Sequence, residues 1–516
     1  MKYLKKNTKV YFISVAVTLV LVALGLLIPQ KFQTISDHLR QVVSTNFGWF
    51  YLLLVTALLF LCLFLIVSPI GQIRLGQPNS EPEHSSVSWI AMMFSAGMGI
   101  GLVFYGAAEP LSHFAKSTPG APAMSTEALA DAFRYTFFHW GFHAWAVYAF
   151  VALTLAYFGF RKNEKYLLSV SLKPILGKYA DGPIATIIDT ITILATVIGV
   201  ATTLGFGAAQ INGGLSQVFG IPNNALIQII IIVITTALFI ASAISGLGKG
   251  VKILSNLNLV LAIGLLALVI VLGPTIKIFD TLTDTLGLYF QNFFRMSFRA
   301  AAFDTSKRAW IDTWTIFYWA WWISWSPFVG VFIARISRGR TIREFLSVVL
   351  LIPTALSFLW FAAFGTLSTN VQTKGTVLTG YATEEVLFKT FEHYPLGLLL
   401  SIIAIFLIFS FFITSADSAT YVLAMLSEDG SLVPSNRKKV IWGVGVAFIA
   451  IALLLSGGLD ALQNVLIIAA LPFSIVLVLI VVSLLKELLH EKGEMGLSIT
   501  PDRYPKANKP FKSYED

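Results

Sequence analysis

The feature that most constrains this chain is a series of long apolar stretches that recurs along almost its whole length. We count roughly a dozen, each near the ~20 residues that a helix needs to cross a bilayer. Only 12% of the residues are charged, about half of the share that soluble domains carry. The mean hydropathy is +0.78. The sequence therefore predicts an all-α polytopic membrane protein with twelve transmembrane helices.

The distribution of Lys and Arg predicts the orientation. With an even number of spans both termini lie on one side, and by our loop boundaries about 25 of the 36 basic residues lie there, which the positive-inside rule makes the cytoplasm. Membrane topology thus accounts for the net charge of +9, and no nucleic-acid partner is needed. The apolar run Tyr11–Ile28 follows lysines but lacks a convincing cleavage site, so we interpret it as a retained first helix.

The apolar runs divide the chain into six segments. These are a cytoplasmic tail (1–10), two peripheral transmembrane helices (11–86), spans 3–7 (87–273), an outer loop (274–310), spans 8–12 (311–486) and a cytoplasmic tail (487–516). Within the outer loop, Leu288–Phe298 mixes aromatic residues with Arg and Gln, which predicts an amphipathic helix along the membrane interface. The basic C-terminal tail leaves open whether it senses osmotic strength or contacts anionic lipid.

Two spans contain residues that interrupt helices. The third has Gly97, Gly99 and Gly101 at alternate positions, and the eighth has Pro327 and Gly330. Interrupted spans at corresponding positions indicate the site of an inverted-repeat transporter, with spans 3–7 and 8–12 as the repeats. The alternative for the glycines is a close-packed helix seam.

Aromatic residues gather near mid-membrane depth on two spans. At helical spacing, one stripe on the eighth span contains Trp314, Tyr318, Trp321, Trp325, Phe328 and Phe332, with Trp322 at its edge, and Trp140, Trp145 and Tyr148 share an arc of the fourth. Interfacial belts put Trp and Tyr at the membrane edges. A central cluster without an acidic partner instead suits a quaternary ammonium, which cannot donate hydrogen bonds and binds π faces. Ordinary core packing is the alternative.

Four stretches carry a resemblance to a known family. GMGIGLVFYGAAEPL, FFHWGFHAWAVY, YWAWWISWSPFVGVFIARISRGRTIREF and FFITSADSAT together resemble the betaine–choline–carnitine transporters, most closely the sodium-coupled glycine betaine transporters of bacteria. The resemblance implies a LeuT-like five-plus-five inverted repeat preceded by two extra helices, a homotrimer and a location in the cell membrane. It implies a trimethylammonium site formed by Trp140, Trp145, Tyr148 and Trp322, with Trp321 and Trp325 close by. The substrate carboxylate would face the backbone at Gly97, Gly99 and Gly101.

The resemblance also implies sodium sites. The first would use the carbonyls of Ser95, Met98 and Phe411 and the hydroxyls of Thr414 and Ser415. Such oxygen donors suit a small hard cation, although hydroxyls in membrane helices often only bond within their own helix. A second sodium site would involve Ala96, Thr196 and Phe328. Val200 stands where the family pattern has another threonine, which puts that site in doubt.

These features predict a sodium-coupled symporter of glycine betaine that works by alternating access in osmoprotection, with Na⁺ as coupling ion and no organic cofactor. The alternative is a proton-coupled choline or carnitine carrier of the same family. An enzyme acting on choline-type head groups would need a convergent acid, base, nucleophile or metal, and the sequence offers no such spacing. Glu109, Arg335 and Asp417 are candidate gate residues, with an Arg335–Asp417 ion pair or two solvated charges as alternatives. His139 and His143, beside Trp140, are interpreted as structural rather than as a proton relay.

Overall fold

The computed structural model describes residues 2–497 other than 98, 117, 246 and 247, and it describes side chains there apart from 2–8, 94–97, 245 and 248–252. Throughout the described ranges the regular structure is helical, and one isolated bridge joins Arg74 and Thr341. The first nine helices are α1 (Lys2–Leu27), α2 (Pro29–Val67), α3 (Ser86–Gly97), α4 (Ile100–Ala115), α5 (Thr126–Trp140), α6 (Phe142–Ala156), α7 (Lys173–Leu176), α8 (Pro183–Phe219) and α9 (Ala225–Ser245). The others are α10 (Gly248–Leu272), α11 (Thr275–Gln291), α12 (Phe293–Ser297), α13 (Arg308–Thr313), α14 (Thr315–Arg335), α15 (Ile342–Thr373), α16 (Val386–Phe391), α17 (Gly397–Leu426) and α18 (Asn436–Glu494).

Ten helical stretches of the described chain are long and apolar enough to cross a membrane, so the chain is a polytopic helical protein as predicted. Two features explain why this number is lower than the twelve spans that the sequence predicts. The α3–α4 pair is split into two pieces that are each too short to be counted. In α18, Gly457 and Gly458 leave the helical conformation (φ −167° and +63°), so one 59-residue helix is divided at that point.

Burial separates central helices from peripheral ones. The apolar windows of the α5–α6 and α14 stretches are 94% and 89% buried, whereas those of α9 and α10 are 22% and 28% buried. The central α14 packs against α6, α8 and α18. A helix that is apolar all round and buried all round belongs to the interior of a bundle. The most aromatic helix therefore lies at the centre of the molecule.

The predicted interruption of the third span is present. Helix α3 ends at Gly97 and α4 begins at Ile100, and Gly99 between them is fully extended (φ −164°, ψ 176°). The first N–H groups of a helix have no partner within it. The start of α4 therefore opens polar backbone groups in the middle of the membrane protein.

The predicted interruption of the eighth span at Pro327 and Gly330 is wrong. Helix α14 runs from Thr315 to Arg335 with Pro327 inside it. Proline lacks the N–H that would bond to the carbonyl four residues earlier, and here the Ser326 Oγ donates to that carbonyl, Ile323 O, at 2.7 Å. The helix continues because a neighbouring hydroxyl satisfies the freed group. A Cβ on Gly330 would lie 2.8 Å from Val151 Cγ1, so this glycine serves the close packing of α14 on α6.

A different break, in the fourth span, was not predicted. Helix α5 ends at Trp140, α6 begins at Phe142, and Gly141 between them has φ −95° and ψ −139°. A Cβ at position 141 would lie 2.6 Å from Phe137 O and 2.8 Å from Phe358 Cε1. Only glycine fits there. The break places Trp140 and Trp145 on two separate helices.

Candidate functional site

A pocket rich in aromatic residues lies where α14 meets the broken pairs α3–α4 and α5–α6. We call it the aromatic pocket. Its walls are Trp140, Ala144, Trp145, Tyr148, Trp321, Trp322, Trp325 and Val329, and it is closed by Gly99–Leu102, Thr203 and Ser357. The six aromatic residues predicted for substrate binding therefore converge, together with Gly99 and Gly101. The surroundings of Gly97 lie outside the described part of the chain.

The indole N–H groups of the three α14 tryptophans that line the pocket are directed into the protein. Trp322 Nε1 donates to His139 O at 2.9 Å, and this carbonyl lies at the end of α5, where the break leaves it without a helical partner. Trp321 Nε1 donates to Thr203 Oγ1 at 3.0 Å, and Trp325 Nε1 donates to Gly199 O at 2.8 Å. Because these donors are occupied, the three rings present carbon surfaces to the pocket.

The rings stand in two orientations. Trp321 and Trp322 are nearly parallel, with centroids 5.1 Å apart and an angle of 10°. Trp140 and Tyr148 meet Trp322 edge to face, at 4.9 Å and 6.0 Å with angles of 69° and 74°. A pocket with walls at right angles offers π faces from several directions, which is the arrangement that binds a quaternary ammonium.

A second pocket adjoins the first and shares Gly99, Trp325 and Val329 with it. We call it the hydroxyl pocket, because its other members include four hydroxyl side chains. Its remaining lining residues are Ser255, Asn258, Phe328, Phe332, Phe411, Thr414, Ser415 and Ser418. Phe411, Thr414 and Ser415 of the first predicted sodium set thus lie together. Met98 and the side chains of Ser95 and Ala96 lie outside the described residues.

A match to a family model decides what kind of protein has these two pockets. Residues 9–493 match the model of the betaine/carnitine/choline family transporters. The chain belongs to this family. It is 53% identical to the glycine betaine transporter OpuD of Bacillus subtilis, over 99% of this chain and 100% of that protein. It is 43% identical to the ectoine/hydroxyectoine transporter of Virgibacillus pantothenticus, over 95% and 97% of the two chains. A glycine betaine transporter of Acinetobacter baylyi is 40% identical over 95% of this chain and 74% of that protein.

In this family member the aromatic pocket has an acidic neighbour, contrary to the expectation from sequence. Glu109 is fully buried, and its Oε2 accepts a hydrogen bond from Trp140 Nε1 at 2.7 Å. Its position in an apolar run could have indicated this, because an ionisable residue within a membrane span is functional by default. Its partners could not be inferred, since they come from three different helices.

Asn258 is a further residue that the sequence analysis missed. It is 2% exposed, lies on α10, and its Nδ2 donates to Thr414 Oγ1 at 3.1 Å. Thr414 also donates within its own helix to Ser410 O at 3.0 Å, as the alternative interpretation expects. An amide in the apolar run of the seventh span was the available signal. Only the packing of α10 on α17 showed which hydroxyl it would meet.

Two residues of the second predicted sodium site, Thr196 and Phe328, have side chains within the described part of the chain. Thr196 is buried on α8 and donates to Thr192 O at 2.7 Å, and it lines neither of the two pockets. Phe328 lines the hydroxyl pocket. Val200 is buried on α8 as well. Of the first predicted sodium set, Phe411, Thr414 and Ser415 line one pocket, and of the second set, Phe328 lines a pocket that Thr196 does not line; both sodium sites stay predictions.

The three candidate gate residues are also separated. The Arg335 guanidinium lies over the Tyr421 ring at 5.1 Å, and Asp417 has Lys439 and Ser242 as its neighbours. The ion pairs of the described chain do not include Arg335 with Asp417, so that predicted pairing is not found. His139 uses both ring nitrogens, on Glu109 and Thr315, and His143 contacts Ser297, as expected for structural histidines.

Proposed function

We propose that this transporter is a sodium-coupled symporter of glycine betaine that works by alternating access and accumulates the osmolyte. The observation that carries the proposal is the aromatic pocket, whose Trp321, Trp322 and Trp325 N–H groups are all bonded to protein. Such walls offer π faces to a trimethylammonium group, which has no hydrogen to donate. Two of the relatives described above are named glycine betaine transporters, which supports this choice of substrate.

The carboxylate of betaine has its own place in this proposal. The start of α4, at Ile100–Leu102, lines the aromatic pocket. Leu102 N–H donates to Gly99 O at 3.2 Å; the other N–H groups of a first turn and the helix dipole make a helix N-terminus favourable for an anion. A zwitterion would thus place its cation among the indoles and its carboxylate at the broken helix. Choline lacks a carboxylate and would leave this second contact unused.

Sodium is assigned to the hydroxyl pocket. Thr414 and Ser415, with Ser255 and Ser418 beside them, offer hard oxygen donors to a small cation. The two pockets share Gly99, Trp325 and Val329. A ligand that repositions this shared wall changes the affinity of the neighbouring pocket, and such a coupling is reciprocal.

The wider architecture belongs to the same proposal. Counting α3–α4 as one broken span and dividing α18 at Gly457–Gly458 makes twelve spans. We infer two repeats of five spans after two peripheral helices, both termini in the cytoplasm, a trimeric assembly in the cell membrane with lipid around it, and no enzymatic activity. The matched helix breaks no longer support the two repeats, because α14 is continuous. The two repeats therefore rest on the family resemblance.

Transport into proteoliposomes tests the function. We expect concentrative uptake of labelled glycine betaine under an inward sodium gradient and background uptake under a proton gradient alone. Choline, carnitine and ectoine are tested as competitors, since one relative is named an ectoine/hydroxyectoine transporter. Proton-driven uptake would overturn the sodium assignment and favour the alternative carrier. If unlabelled ectoine competes more strongly than unlabelled betaine, the assignment of glycine betaine as the substrate is overturned.

Gly101 provides a test of the pocket floor with a matched control. A Cβ there would lie 2.7 Å from Trp321 Cη2 and 3.0 Å from Trp140 Cη2, whereas a Cβ on Gly264, which lines neither pocket, would meet nothing within 4 Å. Gly101→Ala must displace two packed indoles, and we expect it to weaken betaine binding about tenfold or more. Gly264→Ala should change it less than about threefold. Tryptophan fluorescence titration measures both, and equal effects of the two variants would contradict this geometry.

A further inference from the structure

The Glu109 carboxylate is surrounded by four hydrogen-bond partners. Its Oε1 lies 2.7 Å from His139 Nδ1 and 3.2 Å from His113 Nε2. Its Oε2 accepts from Trp140 Nε1 at 2.7 Å and from the Tyr318 hydroxyl. Glu109, His113 and His139 are all 0% exposed. One carboxylate on α4 thus holds residues of α5 and α14 behind the wall of the aromatic pocket.

The hydrogen-bond partners of Glu109 are of the kind that an ionised carboxylate requires. An indole N–H can only donate, and His139 Nε2 faces the Thr315 hydroxyl at 3.0 Å. If that hydroxyl donates to Nε2, a neutral His139 carries its proton on Nδ1, and this N–H donates a hydrogen bond to Glu109. A buried charge persists only where hydrogen bonds replace water, and four donors do so here. The structure thus satisfies both oxygens of an ionised Glu109.

A metal ion is the other occupant that a Glu–His–His cluster could have. The ligands of a tetrahedral zinc ion lie roughly 3.3 Å apart, since each bond is about 2.0–2.1 Å. The 2.7 Å between His139 Nδ1 and Glu109 Oε1 is instead the length of a charge-assisted hydrogen bond. The remaining carboxylate oxygen is held by an indole and a phenol. The geometry therefore favours a hydrogen-bonded anion.

An anion bonded to the edge of an indole changes what the face of the indole offers. The attraction of a cation to an aromatic ring is electrostatic and depends on the negative charge of the π face. Donation from Trp140 Nε1 to a carboxylate moves electron density into the ring, because hydrogen-bonded groups polarise one another in a low-dielectric interior. Tyr318 donates to the same oxygen, and its ring stacks on Trp322 at 5.6 Å and 24°.

We propose that Glu109 is a positioning residue that sets the cation affinity of the aromatic pocket. It orients Trp140 and Tyr318 and makes the π face of Trp140, which lines the pocket, more negative, so that the pocket prefers a permanent cation over an uncharged group of the same shape. The proposal rests on the proposed function, since it assumes that the pocket binds trimethylammonium. It assigns Glu109 a role in substrate selection, whereas the sequence suggested a role as a gate residue.

Two substitutions at position 109 separate charge from shape. Glu109→Gln keeps the length and loses the charge, and Glu109→Asp keeps the charge and loses the length. We expect Gln to weaken betaine binding about tenfold or more and Asp to weaken it less. A purely structural role predicts the opposite order, because Asp shortens the side chain by one methylene and Gln keeps its length. An Asp variant that binds betaine no better than the Gln variant would overturn the proposal.

A second measurement uses tert-butylacetate, the carbon isostere of betaine, which lacks the positive charge. It is tested as a competitor of labelled betaine in wild type, in Glu109→Gln and in Phe361→Leu, which loosens the packing 4.9 Å from Trp140 without a change of charge. We expect the preference for betaine over the isostere to fall in the Gln variant and to be kept in the Leu variant. An unchanged preference in the Gln variant would overturn the proposal. Wild-type protein that does not bind betaine would instead overturn the proposed function.

Discussion

Replacing Trp322 by leucine is expected to raise the dissociation constant for glycine betaine by about thirtyfold or more. Trp322 is the wall that the other rings meet: Trp321 lies parallel to it, and Trp140 and Tyr148 meet it edge to face. A desolvated cation–π contact contributes about 2 kcal/mol or more, which corresponds to the expected factor. Leucine keeps an apolar surface and removes the π face. Isothermal titration of purified protein in the presence of sodium measures the change.

Trp319 is the matched control for this experiment. It lies on the same helix, is completely buried, and packs on Phe138 and His143 at 5.0 Å and 5.5 Å, outside the aromatic pocket. Trp319→Leu leaves a cavity of the same size and should lower the thermal stability similarly. We expect its betaine affinity to stay within about threefold of wild type. Binding that survives in Trp322→Leu, or is lost equally in both variants, would exclude the aromatic pocket as the cation site.

The double substitution Thr414→Ala with Ser415→Ala is expected to raise the sodium concentration for half-maximal uptake by about tenfold or more. The two hydroxyls line the hydroxyl pocket beside Phe411, and a sodium ion that loses two of its few oxygen ligands there cannot replace them from an alanine. A factor of ten corresponds to about 1.4 kcal/mol, which is modest for two ligands. Initial rates of betaine uptake at graded external sodium provide the measurement.

Thr420→Ala controls for the loss of a hydroxyl from the same helix. Thr420 is buried on α17 and donates to Asp417 O at 2.8 Å, away from the hydroxyl pocket. Its sodium dependence should equal that of wild type. If the double variant keeps the wild-type sodium dependence, the coupling ion binds elsewhere, and the Thr196 and Phe328 positions become the next to test.

Helical geometry made part of the aromatic pocket predictable. An excess of indole away from the membrane edges favours a cation site, and the helical period groups the aromatic residues of two spans. The same period also placed on the stripe four residues that do not line the aromatic pocket, namely Trp314, Tyr318, Phe328 and Phe332. The six residues that the structure brings together were those that the resemblance to the family implied.

The helix breaks were predicted less well, for a local reason. Gly99 interrupts its span as expected, but Pro327 does not, because the Ser326 hydroxyl replaces the missing donor at Ile323 O. The fourth span breaks at Gly141, where Phe358, from a helix more than 200 residues later, occupies the space that a larger side chain would need. A proline or glycine marks where a helix can break, and the neighbouring side chains determine whether it does.

The sequence by itself determined the class of protein, the membrane helices and the two spans that carry the aromatic cluster, because hydropathy, helical period and residue chemistry are properties of short stretches; the six pocket residues came from the resemblance to the family. Only the tertiary structure decided the polar partners. Glu109 reaches Trp140 and Tyr318 from another helix, and Asn258 reaches Thr414 across 156 positions of the chain. Buried polar groups must be satisfied wherever helices happen to meet, and the place where two helices meet depends on the packing of the whole bundle.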